Sequence, residues 1–219
     1  MSNGPNPLDP HAGQPIVSGG VPLDQSRAVA VMVHGRNAAP ENILTLVPQI
    51  DRAAVTYLAP AAANHTWYPY GFLTEIAKNE PGLSSALQTL DRVVRDLVAR
   101  GVRKDKIVLL GFSQGACLSA EFAARHADRY GGLLIFSGGL IGPPGTTWSY
   151  PGSFKGTPVF LGCSDIDAHV PRPRVEESAA VFERMGASVT TRIYSGMGHL
   201  VNDDEITIAQ GIFDRVLDA

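Results

Sequence analysis

The chain has 219 residues, 44% of them hydrophobic, which suffices for one substantial core and fits a single α/β domain. Its 18 Lys and Arg against 21 Asp and Glu give a net charge of -3 with no long run of either sign, which excludes the basic footprint of a nucleic-acid or anionic-membrane binder. No apolar run reaches the ~18 residues of a membrane span, and the first residues lack the basic start and apolar stretch of a signal peptide, so a soluble cytoplasmic protein without membrane insertion is expected.

Residues 1–25 are rich in Pro and Gly and read as an N-terminal extension to one domain over residues 26–219. Within them "QPIVSGGVPL" predicts an antiparallel edge hairpin turning at Gly19-Gly20, and the residues before it are expected to be disordered. "AVAVMV" (Ala28 to Val33) is a continuous β-type run, and "ENILTLVPQI" has helical spacing until Pro48 interrupts it. "AVTYLAP" is again a strand. From Gly82 to Arg100, Leu83, Leu87, Leu90, Val94, Leu97 and Val98 share one helical face, with Ser84 or Ser85 available as a cap and Gly101 at the exit.

"KIVLLGF" predicts a strand, Gln114 to His126 a helix, and "GGLLIFSG" a strand. Gly138 to Gly156 is a long loop, and such loops in compact domains are often functional. "TPVFLGC" and "SVTTRIYSG" are strands that enclose the helix "RVEESAAVFERMG", and "DDEITIAQGIFDRVLDA" closes the chain as a helix. Strands alternating with helices need crossover connections, so a mostly parallel central sheet with helices on both faces is expected. Cys117 and Cys163 lie in apolar segments outside any spaced framework, which points to reduced, buried thiols and no zinc site.

In "VLLGFSQGACLSAEFAARH" (Val108 to His126) a serine stands where a strand reverses into a helix. The five-residue Gly-x-Ser-x-Gly pattern alone is weak, but a strand before it and a helix after it supply the context it requires. Gly111 and Gly115 leave room for the two elements to meet, so Ser113 projects above the sheet edge beside amides at a helix N-terminus, where negative charge is favoured. That is a site for a nucleophile. A serine hydroxyl needs a base to take its proton and a carboxylate to orient the base. With this elbow the chain order is Ser, acid, His, which leaves His169 and His199; His169 lies too close to the acid's loop, and His199 in the last loop is the better base. The acid comes from "PVFLGCSDIDAHVP", where Asp165 and Asp167 both qualify by position and spacing does not choose between them.

With these residues in hand, the chain resembles the phospholipase/carboxylesterase family of α/β-hydrolases, which includes acyl-protein thioesterases and small bacterial carboxylesterases. The stretches that carry the resemblance are "VHGRN" (Val33 to Asn37), "NHTWYP" (Asn64 to Pro69), "GFSQGA" (Gly111 to Ala116), "SDIDAHVP" (Ser164 to Pro171) and "GMGH" (Gly196 to His199), in that order. The resemblance implies an α/β-hydrolase fold and a Ser113, Asp167, His199 triad, with Asp167 chosen because the family's acid precedes a Val-Pro pair with two residues between, as Asp167 precedes Val170-Pro171. It also implies an oxyanion hole from the backbone amides of Arg36 and Gln114. Asn37 replaces the second glycine of the usual His-Gly-x-Gly form, and Asn tolerates the left-handed turn needed there.

Other side chains carry weaker expectations. His34 is read as an anchor of its loop, and Arg36 either faces solvent or offers a guanidinium to a substrate carboxylate. Trp67, Tyr68 and Tyr70 either wall a substrate pocket or pack their loop; Trp148, Tyr150 and Met197 are further candidates for the pocket. The chain is too short for a large lid domain, so short to medium acyl esters are the expected substrates. Thioesterase or lysophospholipase activity is the nearest alternative, and a non-catalytic ligand-binding module a remote one. No metal or organic cofactor is implied. The partner expected is a small-molecule ester, and the resemblance adds a homodimer as an assembly to expect.

Overall fold

The structure is a computed structural model that describes residues 8–219. Seven strands form one sheet: β1 (Ile16–Gly20), β2 (Ala28–Val33), β3 (Val55–Pro60), β4 (Ile107–Phe112), β5 (Gly132–Phe136), β6 (Pro158–Ser164) and β7 (Ser188–Tyr194). Their order across the sheet is β1-β3-β2-β4-β5-β6-β7. Only β1 runs antiparallel, against β3; every other pairing is parallel.

The central strands are buried on both faces, as their unbroken apolar runs require. Along β2, Val29, Val31 and Val33 face one core layer, whereas Ala28, Ala30 and Met32 face the other. The first layer packs under α3 (Gly82–Ala99), α4 (Gln114–Arg125) and α5 (Arg172–Arg184). The second packs under α1 (Pro40–Leu44), α2 (Val47–Ile50) and α6 (Asp203–Asp218), through Ile43, Ile50, Ala209, Ile212, Phe213 and Val216. This is a doubly covered α/β sheet with no lid among the described residues.

Three local expectations are corrected. In place of a hairpin at Gly19-Gly20, the single strand β1 pairs with β3, because that edge was open and the chain then turns through Pro22 into a short 3-10 turn. Residues 1–7, also expected to be disordered, lie outside the described residues. Residues 8–13 are fastened instead: His11 is buried, its amide donates to Ser85 Oγ (2.9 Å), and Asp9 pairs with Arg92 (3.0 Å). Ser85 is thereby used as an anchor, and the α3 N-terminus is served by Glu80, whose carboxylate accepts from Ser84 N (3.0 Å). The interruption expected at Pro48 is present: α1 ends at Leu44 and α2 begins at Val47 with Pro48 in its first turn, since proline there has no N–H to give Leu44 and its ring crowds that carbonyl.

The sheet order reverses at β2, which has β3 on one side and β4 on the other. In open α/β sheets the crevice for ligands lies beyond the strand ends at such a switch point. Val33 and Gly111 are register partners there, so the loops after β2 and β4 emerge side by side.

Candidate functional site

The turn from β4 to α4 is tight enough to exclude side chains at both flanking glycines. A Cβ on Gly111 would lie 2.3 Å from Gly115 O, and one on Gly115 would lie 2.1 Å from Val33 O. Ser113 between them has φ 56° and ψ -120°, a conformation that costs a non-glycine residue on the order of 1–3 kcal/mol. It is held by Ser113 N donating to Phe136 O (3.0 Å) and by Cys117 N donating to Ser113 O (3.0 Å). The side chain is half-buried and its hydroxyl has no hydrogen-bond partner among the described residues.

The loop after β6 places Asp167, whose side chain is fully buried, under the imidazole of His199. Asp167 Oδ2 accepts from His199 Nδ1 at 2.6 Å, and Oδ1 accepts from the amides of His169 (2.8 Å) and Val170 (3.0 Å). Burial pushes this carboxyl up, but the His199 bond and the two amides outweigh it and hold Asp167 below the ordinary aspartate range. With Nδ1 donating to Asp167, the His199 Nε2 carries the lone pair. The ring is packed between Phe112 (centroids 4.8 Å apart) and His169 (4.9 Å). Asp165 does something else: its Oδ1 accepts from Gly196 N (2.8 Å) and fixes the start of the His199 loop.

The loop after β2 lies against this pair. Asn37 has φ 58°, the left-handed geometry expected at that position, and its amide donates to His65 O (2.8 Å). His34 is buried; its Nδ1 donates to Gly35 O (2.8 Å) and its Nε2 accepts from Ala62 N (3.1 Å). Burial holds its pKa below the ordinary histidine value, which suits a neutral anchor. The amides of Arg36 and Gln114 donate to no protein acceptor among the described residues. The Gln114 side chain ties the third loop, its Oε1 accepting from Trp67 N (2.9 Å) and its Nε2 donating to Tyr68 O (2.8 Å).

Ser113, His199, Arg36, Gln114 and Tyr68 line one cleft of about 760 Å³. Asp167 stands behind it, reaching the cleft through His199. Of the six residues expected to wall a pocket only Tyr68 lines it; Tyr70 is exposed outside it, and Trp67, Met197, Trp148 and Tyr150 are turned to other partners. Trp67 is fully buried between His11 and His34, with Nε1 donating to His34 O (2.9 Å), so it packs its loop. Met197 turns its sulfur to Asn202 Nδ2 (3.0 Å). The loop of residues 138–156 also stays away from the cleft: Arg174 donates to Leu140 O (2.9 Å) and Gly142 O (2.7 Å), and stacks on Trp148, while Tyr150 donates to the buried Glu121 (2.9 Å).

Sequence reasoning missed the wall built by Asn42, Thr45, Leu46 and Gln49, together with Phe72 and Leu200. The signal was present in the first four: positions 42, 45, 46 and 49 recur at helical spacing on the segment directly after the β2 loop, beside Ile43, which touches both the cleft and the core. Cys117 lines the cleft as well, but burial pushes its thiol up to about 12, so it is a small apolar wall group.

Comparison with known proteins finds the same fold. A crystal structure of a phospholipase/carboxylesterase from Dyadobacter fermentans superposes with a TM-score of 0.86 at 39% identity, covering 91% of this chain and 95% of that one. A carboxylesterase of Bacillus cereus shares the fold at 19% identity, with a TM-score of 0.73 over 94% of this chain and 95% of that one. An acyl-protein thioesterase 1 of Eremothecium gossypii is 29% identical over 143 residues, which is 63% of this chain; the chain spans 59% of that relative's own length. The family described as Phospholipase/Carboxylesterase matches residues 24–215, and the chain belongs to that family.

Proposed function

We propose that this protein is a serine hydrolase that cleaves carboxylic esters of short to medium acyl chains through an acyl-enzyme. The observation that carries the reading is the shared cleft, which holds Ser113 on its strained turn together with a His199 already bonded to a buried Asp167. In the first step His199 Nε2 takes the Ser113 proton as Oγ bonds to the ester carbonyl carbon. The carbonyl oxygen becomes an oxyanion, which the unpaired amides of Arg36 and Gln114 receive; one such donor is typically worth about 10²- to 10³-fold in rate. The C–O bond to the alcohol then breaks, and His199 returns the proton to the leaving oxygen. Water repeats the sequence on the acyl-Ser113 ester and releases the acid. The hydrogen bond between Ser113 and His199 that this requires is one that forms with substrate in place.

The cleft has no lid among the described residues, and its size of about 760 Å³ with apolar walls from Leu46, Tyr68, Phe72, Phe112 and Leu200 suits short and medium chains. Thioesters undergo the same steps, and the similarity to the Eremothecium gossypii thioesterase keeps them as a second reading. The test is hydrolysis of p-nitrophenyl esters from acetyl to palmitoyl by wild type and Ser113→Ala, with fluorophosphonate labelling alongside. A short-chain optimum lost in the variant is expected. A labelled Ser113 with no turnover of any ester would move the reading to thioesters or another acyl class, and an unlabelled one would overturn the nucleophile.

A further inference from the structure

The cleft is unusual in its charge. The chain carries more acidic than basic residues, yet no Asp or Glu is among the residues that line the cleft, and Arg36 is their one permanent cation. Glu41, in the first turn of α1, is exposed and outside the lining. The Arg36 side chain is not a wandering surface arginine. Nη1 donates to Pro69 O (2.8 Å) and Thr66 Oγ1 (3.2 Å), and Nη2 donates to Tyr70 O. Two of these partners, Pro69 and Tyr70, sit between Tyr68 and Gly71, both of which line the cleft, so the guanidinium is held at its rim. A guanidinium has five N–H donors, and three are used here; Nε–H and one Nη2–H have no protein acceptor among the described residues.

Resting on the hydrolase reading above, we propose that the preferred substrates are esters whose acyl chain ends in a carboxylate, which the Arg36 guanidinium receives. The acyl side follows from the chemistry. His199 must reach the leaving oxygen, so the alcohol lies toward His199, Leu200 and Val201, and the acyl chain extends the other way, along the wall of Arg36, Tyr68, Gly71 and Phe72. A fixed cation costs little ordering when the substrate carboxylate arrives, and no lining carboxylate opposes it.

The experiment compares kcat/KM for mono-(4-nitrophenyl) glutarate and 4-nitrophenyl pentanoate, which share a five-carbon acyl chain, in wild type, Arg36→Gln and Arg36→Lys. The glutarate ester is expected to be preferred about five- to tenfold at low salt, with the preference shrinking as salt rises. Arg36→Gln lowers that ratio to about one or below whatever it does to the neutral-ester rate, and Arg36→Lys retains part of it. A ratio near one in wild type, or one unmoved by Arg36→Gln, overturns the inference and leaves the esterase reading intact. Turnover of neither ester counts against the esterase reading, and protection of Ser113 from a fluorophosphonate by glutarate then decides this inference. Protection present in wild type and lost in Arg36→Gln supports it; no protection in wild type overturns it.

Discussion

Asp165 and Asp167 stand two residues apart and brace the same loop by different means. The Asp167 side chain is buried, accepts from His199 and is fixed by two amides of its own turn, whereas Asp165 is exposed and accepts from Gly196 N at the start of the His199 loop. Asp167→Asn keeps the shape but cannot accept the Nδ1 proton in the same way, so kcat on a p-nitrophenyl ester is expected to fall about 10²- to 10⁴-fold with the thermal midpoint little changed. Asp165→Asn should lose less than about tenfold, because Gly196 N can still donate to an amide oxygen. Equal losses in the two variants would remove Asp167 from the role proposed for it. The choice was not legible in spacing, since what separates the two carboxylates is the backbone amides of His169 and Val170, which exist as donors only once the turn has formed. Trp67 failed for a related reason: a loop aromatic reads the same whether it faces a ligand or, as here, fills the gap between His11 and His34. The Ser113 turn was legible because sterics at Gly111 and Gly115 leave so few alternatives.

At the scale of elements, the parallel strands and the long helix α3 were written in uninterrupted apolar runs and a 3.6-residue stripe, and these follow from burial alone. The N-terminal segment was not. Its Pro and Gly content says nothing of His11, which is buried with Nε2 donating to Trp67 O (2.8 Å) and Nδ1 accepting from Ala63 N (3.0 Å). Through those two bonds residues 8–13 hold the loop whose next members, Tyr68 and Gly71, wall the cleft. His11→Ala orphans a carbonyl and an amide, so a loss of about 1–3 kcal/mol in urea unfolding is expected, together with a rise in KM larger than the fall in kcat. An unchanged urea midpoint would mean that the segment rests on the body without supporting it. The loop of residues 138–156 errs in the opposite direction, for its length suggested function, whereas Arg174 and Glu121 hold it as a structural cover between β5 and β6.

For the molecule as a whole, buried titratable groups pull stability in opposite directions with pH. His11 and His34 are held below the ordinary histidine value by burial, so the stability they contribute is present above their unfolded value of 6.5 and is lost as pH falls through their folded values. Glu205 acts the other way. It is fully buried at the start of α6, in a capping box where its Oε2 accepts from Asn202 N (2.9 Å) and its own amide donates to Asn202 Oδ1 (2.9 Å). Its Oε1 has no partner among the described residues, and it fits against β6 because position 162 is glycine: a Cβ there would lie 2.0 Å from that oxygen. Burial raises Glu205 to about 7, with the neighbouring carboxylate of Asp204 adding to the shift and the Asn202 amide opposing it. Because the folded value lies above the ordinary 4.5, its favourable contribution is complete below that pH and is lost as pH rises through about 7. Glu205→Gln keeps an acceptor for Asn202 N and cannot ionise. Relative to wild type it should therefore gain about 3 kcal/mol between pH 4 and pH 8, measured as the pH dependence of the difference in urea unfolding free energy. The gain should develop mainly between pH 4.5 and pH 7, where the two histidines contribute equally to both proteins and cancel. A difference that is the same at every pH would show that Glu205 titrates in the folded protein as it does in the unfolded chain, its buried Oε1 being solvated.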